Sequence, residues 1–157
     1  MEDASKDLRT TAHNLLPDLL LQEGLVVAMA TFCEKMEKST HLHIDFLSYG
    51  EIPALDPAVE LLIYRMVQEL VQNILKHASA TQALVQLSCE NNLLNVTVED
   101  NGRGISEHDD KHTTGTGLTG IQARVQALNG HMDLKSIKNK GTAVYLEFDL
   151  HNMTIIN

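Results

Sequence analysis

Ala83-Leu-Val-Gln-Leu-Ser-Cys-Glu90 and Leu93-Leu-Asn-Val-Thr-Val-Glu99 each alternate apolar and polar residues, and only Asn91-Asn92 separates them. A period of two puts every second side chain on one face, which suits a half-buried strand. Asn also tolerates the positive φ that a tight hairpin often requires. The stretch therefore predicts an antiparallel pair. A second such pair is expected from His131–Ile137 and Thr142–Leu150 around the turn Lys138-Asn-Lys-Gly141. Between the pairs, Asp100 to Thr116 is rich in Gly, Asp, His and Thr without apolar period and reads as a mobile loop. Gly117 to Leu128 then carries Leu118, Ile121, Val125 and Leu128 on one helical face, with Asn129-Gly130 as a left-handed cap.

Upstream, Asp56-Pro57 is a strong helix start, because Asp can cap free amides and Pro fits a first turn. The helix is expected to run to about His77, with Val59, Leu62, Ile63, Met66, Leu70 and Ile74 as its apolar stripe. Before it, His43 to Ser48 alternates as a strand, and Glu23 to Lys38 has Leu25, Met29, Phe32 and Met36 near helical spacing. Leu8 to Leu21 favours helix but is interrupted by Pro17. Hairpin-joined strands mixed with helices predict an α/β sandwich of the α+β kind, with helices on one face of a mixed, largely antiparallel sheet.

The 157 residues, 43% of them hydrophobic, suffice for one sizeable core. A net charge of -9 argues against an extended basic face for nucleic acid or anionic lipid, so a polyanionic ligand would have to be held locally by amides, a helix end or a metal. Cys33 and Cys89 form no CxxC pair, and no His cluster has zinc spacing, which suits a reducing, cytoplasmic setting. No stretch reaches the ~20 apolar residues of a membrane span, and the polar start Met1-Glu-Asp-Ala-Ser-Lys is unlike a signal peptide, so direct membrane contact is not expected.

Three segments carry candidate chemistry. Glu69, Asn73 and His77 recur every four residues and would stack along one helical line. Asn costs a few tenths of a kcal/mol there relative to Ala, which invites a role for its oxygen as a ligand of Mg²⁺; a polar solvent-facing edge is the alternative. Asp100-Asn-Gly-Arg-Gly104 follows a strand. A carboxylate there can accept from an exocyclic amine such as that of adenine, and Gly102 and Gly104 would let backbone approach a flat ring; an ordinary Asp-Asn-Gly turn is the competing reading. Thr114-Gly-Thr-Gly-Leu-Thr-Gly120 opens a helix whose amides could cradle phosphate. It matches GxGxxG, yet it follows a long polar loop and hairpins flank it, which is not the parallel βαβ context of a dinucleotide fold. GxxxxGK[ST] does not occur.

In this order the three segments resemble the Bergerat ATP-binding fold: Glu69-Leu-Val-Gln-Asn-Ile-Leu-Lys-His-Ala78 is similar to its N box, Asp100–Gly104 to its first glycine box, Gly115–Gly120 to its second and Gly141-Thr142 to its last. Within that superfamily, Tyr64-Arg-Met-Val-Gln-Glu69, Lys76-His-Ala78 and the short loop before Gly115 resemble the sensor histidine kinases that include the nitrate sensors and DesK. Leu15-Leu-Pro17 to Gly24-Leu25 resembles the segment by which that family leaves its dimerising helices, implying residues 1–22 as helix end and linker and 23–157 as catalytic domain. The resemblance implies ATP and Mg²⁺ as cofactors, Glu69 as acid-base group near the γ-phosphate, Asn73 as Mg²⁺ ligand, and Lys76 and His77 as phosphate contacts. Asp100 would bind the adenine amine, Gly102, Gly104 and Thr142 would line the base pocket, and amides around Gly115, Gly117 and Leu118 would meet the phosphates. The implied partners are a histidine-bearing dimerisation domain of the same parent protein and a response regulator receiver domain.

His13, followed by Asn14, is the one candidate acceptor histidine, and a helix-end role suits it better; His41, His43, His108, His112, His131 and His151 show no ligand spacing. Ser106 to Thr114 is expected to order over ATP as a lid, although Glu107, Asp109 and Asp110 would repel phosphate if they faced inward. Other readings are a serine kinase of the anti-sigma type, a hydrolase of the gyrase, MutL and Hsp90 kind, and an inactive docking module.

Overall fold

A computed structural model describes residues 18–105 and 118–153. Residues 18–23 are helical, and α1 (Leu25–Ser39), β1 (His43–Tyr49) and α2 (Pro57–Asn73) follow. A π-helical turn, Ile74–Ala78, continues α2; then come β2 (Gln82–Glu90), β3 (Leu93–Asp100), α3 (Leu118–Ala127), β4 (His131–Ile137) and β5 (Gly141–Asp149). The expected readings of His13, of the lid Ser106–Thr114, and of Gly115 and Gly117 lie outside the described residues.

The five strands form one sheet in the order β1-β2-β3-β5-β4. β1 runs parallel to β2 and the remaining pairs are antiparallel, as the hairpin signals required. Both predicted turns use Asn in the left-handed region, with φ of 53° at Asn91, 62° at Asn92 and 65° at Asn139. Asn129, at 55°, closes α3. Inward positions of the strands, Val85 and Leu87, Leu94, Val96 and Val98, Val144, Leu146 and Phe148, are buried beneath the helices.

α2 starts as its sequence dictates: Asp56 Oδ1 accepts from Ala58 N at 2.8 Å and Pro57 takes the first turn. Its buried arc is wider than the predicted stripe, because it is wedged between the sheet and α1. Glu60, Tyr64 and Gln68 are buried along with Val59, Ile63, Met66 and Leu70. Glu60 Oε1 accepts from Leu55 N at 3.1 Å, and the Tyr64 ring meets Phe32 of α1 edge-on at 6.0 Å. The α-helix ends at Asn73, four residues short of the expected His77. Cys33 and Cys89 are free, and burial pushes the Cys33 thiol up to about 12, so it packs as an inert small hydrophobe. Among the described residues no helix is long and apolar enough to cross a membrane.

Tyr64 Oη is buried beside the Gln68 side chain but makes no well-formed hydrogen bond to it, and burial pushes its ionisation up to about 12. Leaving a buried hydroxyl unpaired costs about 1 kcal/mol or more. Tyr64→Phe keeps the ring contact and removes that cost, so it should raise the thermal midpoint by ~2–4 °C. A drop of similar size in a thermal melt would show that the hydroxyl has a partner in solution.

Candidate functional site

β3 points Leu94, Val96 and Val98 inward, and the same alternation brings Asp100 to the inner face at the strand's end, opposite Thr142 of β5. Its Oδ1 accepts from Gly102 N at 2.8 Å. Burial raises the Asp100 carboxyl above its ordinary range, and backbone hydrogen bonds from Gly102 and Thr142 offset part of that rise. The neighbouring Asn101 turns the other way: its Oδ1 accepts from Thr81 N and Gln82 N, each at 2.9 Å, and so fixes where the strand ends.

The glycines after Asp100 serve chain packing. A Cβ on Gly102 would strike the backbone carbonyl of Ala78, and it is there that Arg103 N donates to Ala78 O at 2.8 Å and Arg103 Nε to His77 O at 2.6 Å. Gly104, at φ +74°, would place a Cβ 2.5 Å from Ile137 O; Gly141, at φ +129°, would drive one into Asp100 O. Ile105 N donates to Ser136 Oγ at 2.6 Å, and that hydroxyl bonds Thr142 Oγ1 at 3.1 Å. The expectation that Gly102 opens room for a flat ring is thus corrected: its missing side chain admits the π-helical turn. Gly104 does face the cleft.

Asn73 is the last residue of α2, and its carboxamide makes no capping bond to the turn that follows. A π turn inserts an extra residue, a local irregularity frequent at functional sites. The expected line of four-residue steps therefore holds from Glu69 to Asn73 and breaks before His77, although His77 still reaches the cleft. Glu69 is engaged elsewhere. Its Oε1 accepts from Arg124 Nη1 of α3 at 2.6 Å, with the two side chains 36% and 37% exposed.

One open cleft gathers Asn73, His77, Asp100, Gly104, Leu118 and Thr142. Glu69, Lys76 and Gly102 lie outside its lining. Its walls are apolar: Leu70 and Ile74 from the helix side, Val98, Leu134 and Val144 from the sheet, and Ile105 from the turn. Sequence reading missed these walls as site residues, along with Arg103, which also lines the cleft. Their only signal was the inward phase of the stripes, which marks core and cleft wall alike. An apolar slot that holds a carboxylate suits a planar base bearing an amine; an amide oxygen and an imidazole on the same lining suit phosphate and a hard cation. Among the described residues no group of three His, Cys, Asp or Glu could hold a metal by itself.

The family described as histidine kinase-, DNA gyrase B- and HSP90-like ATPase matches residues 58–152. Sensor histidine kinase ComP of Bacillus subtilis (strain 168) is 32% identical over 151 residues, covering 96% of this chain and 20% of that protein. Oxygen sensor histidine kinase NreB of Staphylococcus carnosus (strain TM300) is 33% identical over 141 residues, covering 90% of this chain and 41% of that protein. The chain thus spans between a fifth and two fifths of these relatives' length. Among solved structures, the histidine kinase domain of the Erythrobacter litoralis EL346 blue-light activated histidine kinase superposes with a TM-score of 0.66 at 24% identity, over 82% of this chain and 66% of that one. Acinetobacter baumannii histidine kinase AdeS gives 0.64 at 16% identity, over 95% and 83%. At these identities the structures speak for the fold alone, which agrees with the predicted sandwich.

Proposed function

The chain belongs to the family of histidine kinase-, DNA gyrase B- and HSP90-like ATPases, and on that premise we propose that it is the ATP-binding catalytic domain of a sensor histidine kinase, transferring the γ-phosphoryl group to a histidine on a separate dimerisation domain. The observation that carries the reading is a cleft in which Asp100, at the end of β3, and Asn73, at the end of α2, share an apolar slot. The relatives ComP and NreB, which match most of this chain, are sensor histidine kinases, the group that the motif residues resemble.

In this reading Asp100 accepts a hydrogen bond from the adenine amine while Ile74, Val98, Leu134 and Val144 sandwich the ring, with Gly104 and Thr142 completing the base pocket and Gly102 letting the π-helical turn close behind Asp100. Lys76 and His77 contact phosphate together with the amides of Gly115, Gly117 and Leu118. Asn73 offers one oxygen to Mg²⁺. A single neutral protein oxygen fits an ion that draws most of its shell from phosphates and water. Bound there, Mg²⁺ neutralises the charge that develops as the phosphoryl group moves. The acceptor imidazole nitrogen forms a bond to the γ-phosphorus, the bond from that phosphorus to the bridging oxygen breaks, and Glu69 takes the imidazole proton. Residues 1–22 act as helix end and linker, the parent protein works in the cytoplasm, and a receiver domain of a response regulator accepts the phosphoryl group next.

Calorimetric titration with ATP, with and without Mg²⁺, followed by incubation with a histidine-bearing helical hairpin, tests the reading. Binding that strengthens with Mg²⁺ and label on histidine are expected. Free phosphate alone would make the chain a hydrolase, and label on serine an anti-sigma type kinase. Absence of both binding and label would make it a docking module.

A further inference from the structure

Resting on the kinase reading above, we infer that Arg124 is a positioning residue for phosphoryl transfer, acting through Glu69. Glu69 sits one helical turn before Asn73, and nothing else described holds its carboxylate: Arg124 Nη1 donates to Oε1 at 2.6 Å. A proton acceptor requires an orienting partner, since a carboxylate on a two-carbon stem otherwise samples several rotamers and loses the alignment that transfer demands. Arg suits the task because its guanidinium is planar, always charged and directional.

The place of Arg124 in the fold adds a second consequence. α3 anchors through Ile121 and Val125, both buried, and Arg124 extends beside them toward α2. The same helix begins at Leu118, which lines the cleft. Over six residues an α-helix advances only ~9 Å. The ion pair therefore fixes the Glu69 carboxylate relative to the part of the cleft that Leu118 lines. The pair is more than a third exposed on both sides, so its contribution to fold stability is small. Its effect belongs to geometry at the reacting end.

The test measures transfer from Mg-ATP to a histidine-bearing hairpin for the unsubstituted chain, Arg124→Ala, Arg124→Lys, Glu69→Gln and the double variant Glu69→Gln with Arg124→Ala, with ATP affinity and thermal midpoint for each. Arg124→Ala should lower kcat about 10-fold while leaving KM for ATP within about 2-fold, with Arg124→Lys in between. The double variant should be no slower than Glu69→Gln, because Arg124 has nothing to orient once the carboxylate is gone. Additive losses in the double variant would overturn the inference. So would an Arg124→Ala loss that falls equally on ATP affinity and thermal midpoint, for then Arg124 only braces α3. If the unsubstituted chain binds ATP but labels no histidine, the kinase reading itself fails and the inference falls with it, an outcome visible before any variant is compared.

Discussion

Asp100→Asn should weaken ATP binding by ~100-fold while leaving the fold at least as stable. The carboxylate offers only acceptors, and the adenine amine offers only donors at that edge. An amide can turn its NH2 toward the amine or break its bond from Gly102 N, and either leaves a buried polar group unpaired at a cost of about 2–3 kcal/mol. Stability moves the other way. Burial raises the Asp100 carboxyl above its ordinary range, so the fold favours the protonated acid over the ion, and the stabilisation linked to that proton is present at low pH and lost as pH rises through the folded-state value. A neutral isostere removes the cost of the buried charge at neutral pH. The same shift has an opposite consequence for function: ATP affinity should fall on acidification, beginning at a higher pH than an ordinary aspartate would give, because protonation turns one acceptor oxygen into a donor and removes the charge from the other. Titration calorimetry from pH 7 downward measures this, with Asp100→Asn as the control whose residual affinity stays flat. Unchanged affinity in the variant would remove Asp100 from the base pocket.

Asn73→Ala should reduce histidine phosphorylation by ~100-fold or more and remove most of the Mg²⁺ dependence of ATP binding, with the domain still folded. A metal that neutralises a moving phosphoryl group is worth several kcal/mol, and displacing it by losing one of its few protein donors forfeits much of that. The fold has no need of the carboxamide, which makes no cap to the π-helical turn, and Ala is the better helix former by a few tenths of a kcal/mol. Mg²⁺ titration monitored by calorimetry, beside a thermal melt, separates the two effects. A variant that keeps its Mg²⁺ dependence would place the ion on other ligands.

Much of the fold was legible because strands β2 to β5 largely alternate and their turns carry Asn at left-handed positions; both signals are local. The start of α2 was legible for the same reason, in Asp56-Pro57. Its end was not. Nothing in Ile74-Leu-Lys-His-Ala78 distinguishes an α from a π turn, since that choice depends on the interlock with Gly102 and Arg103 more than twenty residues later. Burial of Tyr64 and Gln68 was equally hidden, because α1 packs over a side of α2 that a one-sided stripe leaves polar.

The sequence by itself determined the antiparallel hairpins, the helix carrying Glu69 and Asn73, and the family resemblance in the glycine segments, because each depends on residues close together in the chain. Only the tertiary structure decided that Gly102 meets Ala78, that Glu69 pairs with Arg124, and that Leu134 and Val144 wall a cleft in place of filling a core. Those outcomes are contacts between distant segments. Side-chain type and periodicity state which face turns inward, but which surface meets it there is set by the packing of whole elements against one another.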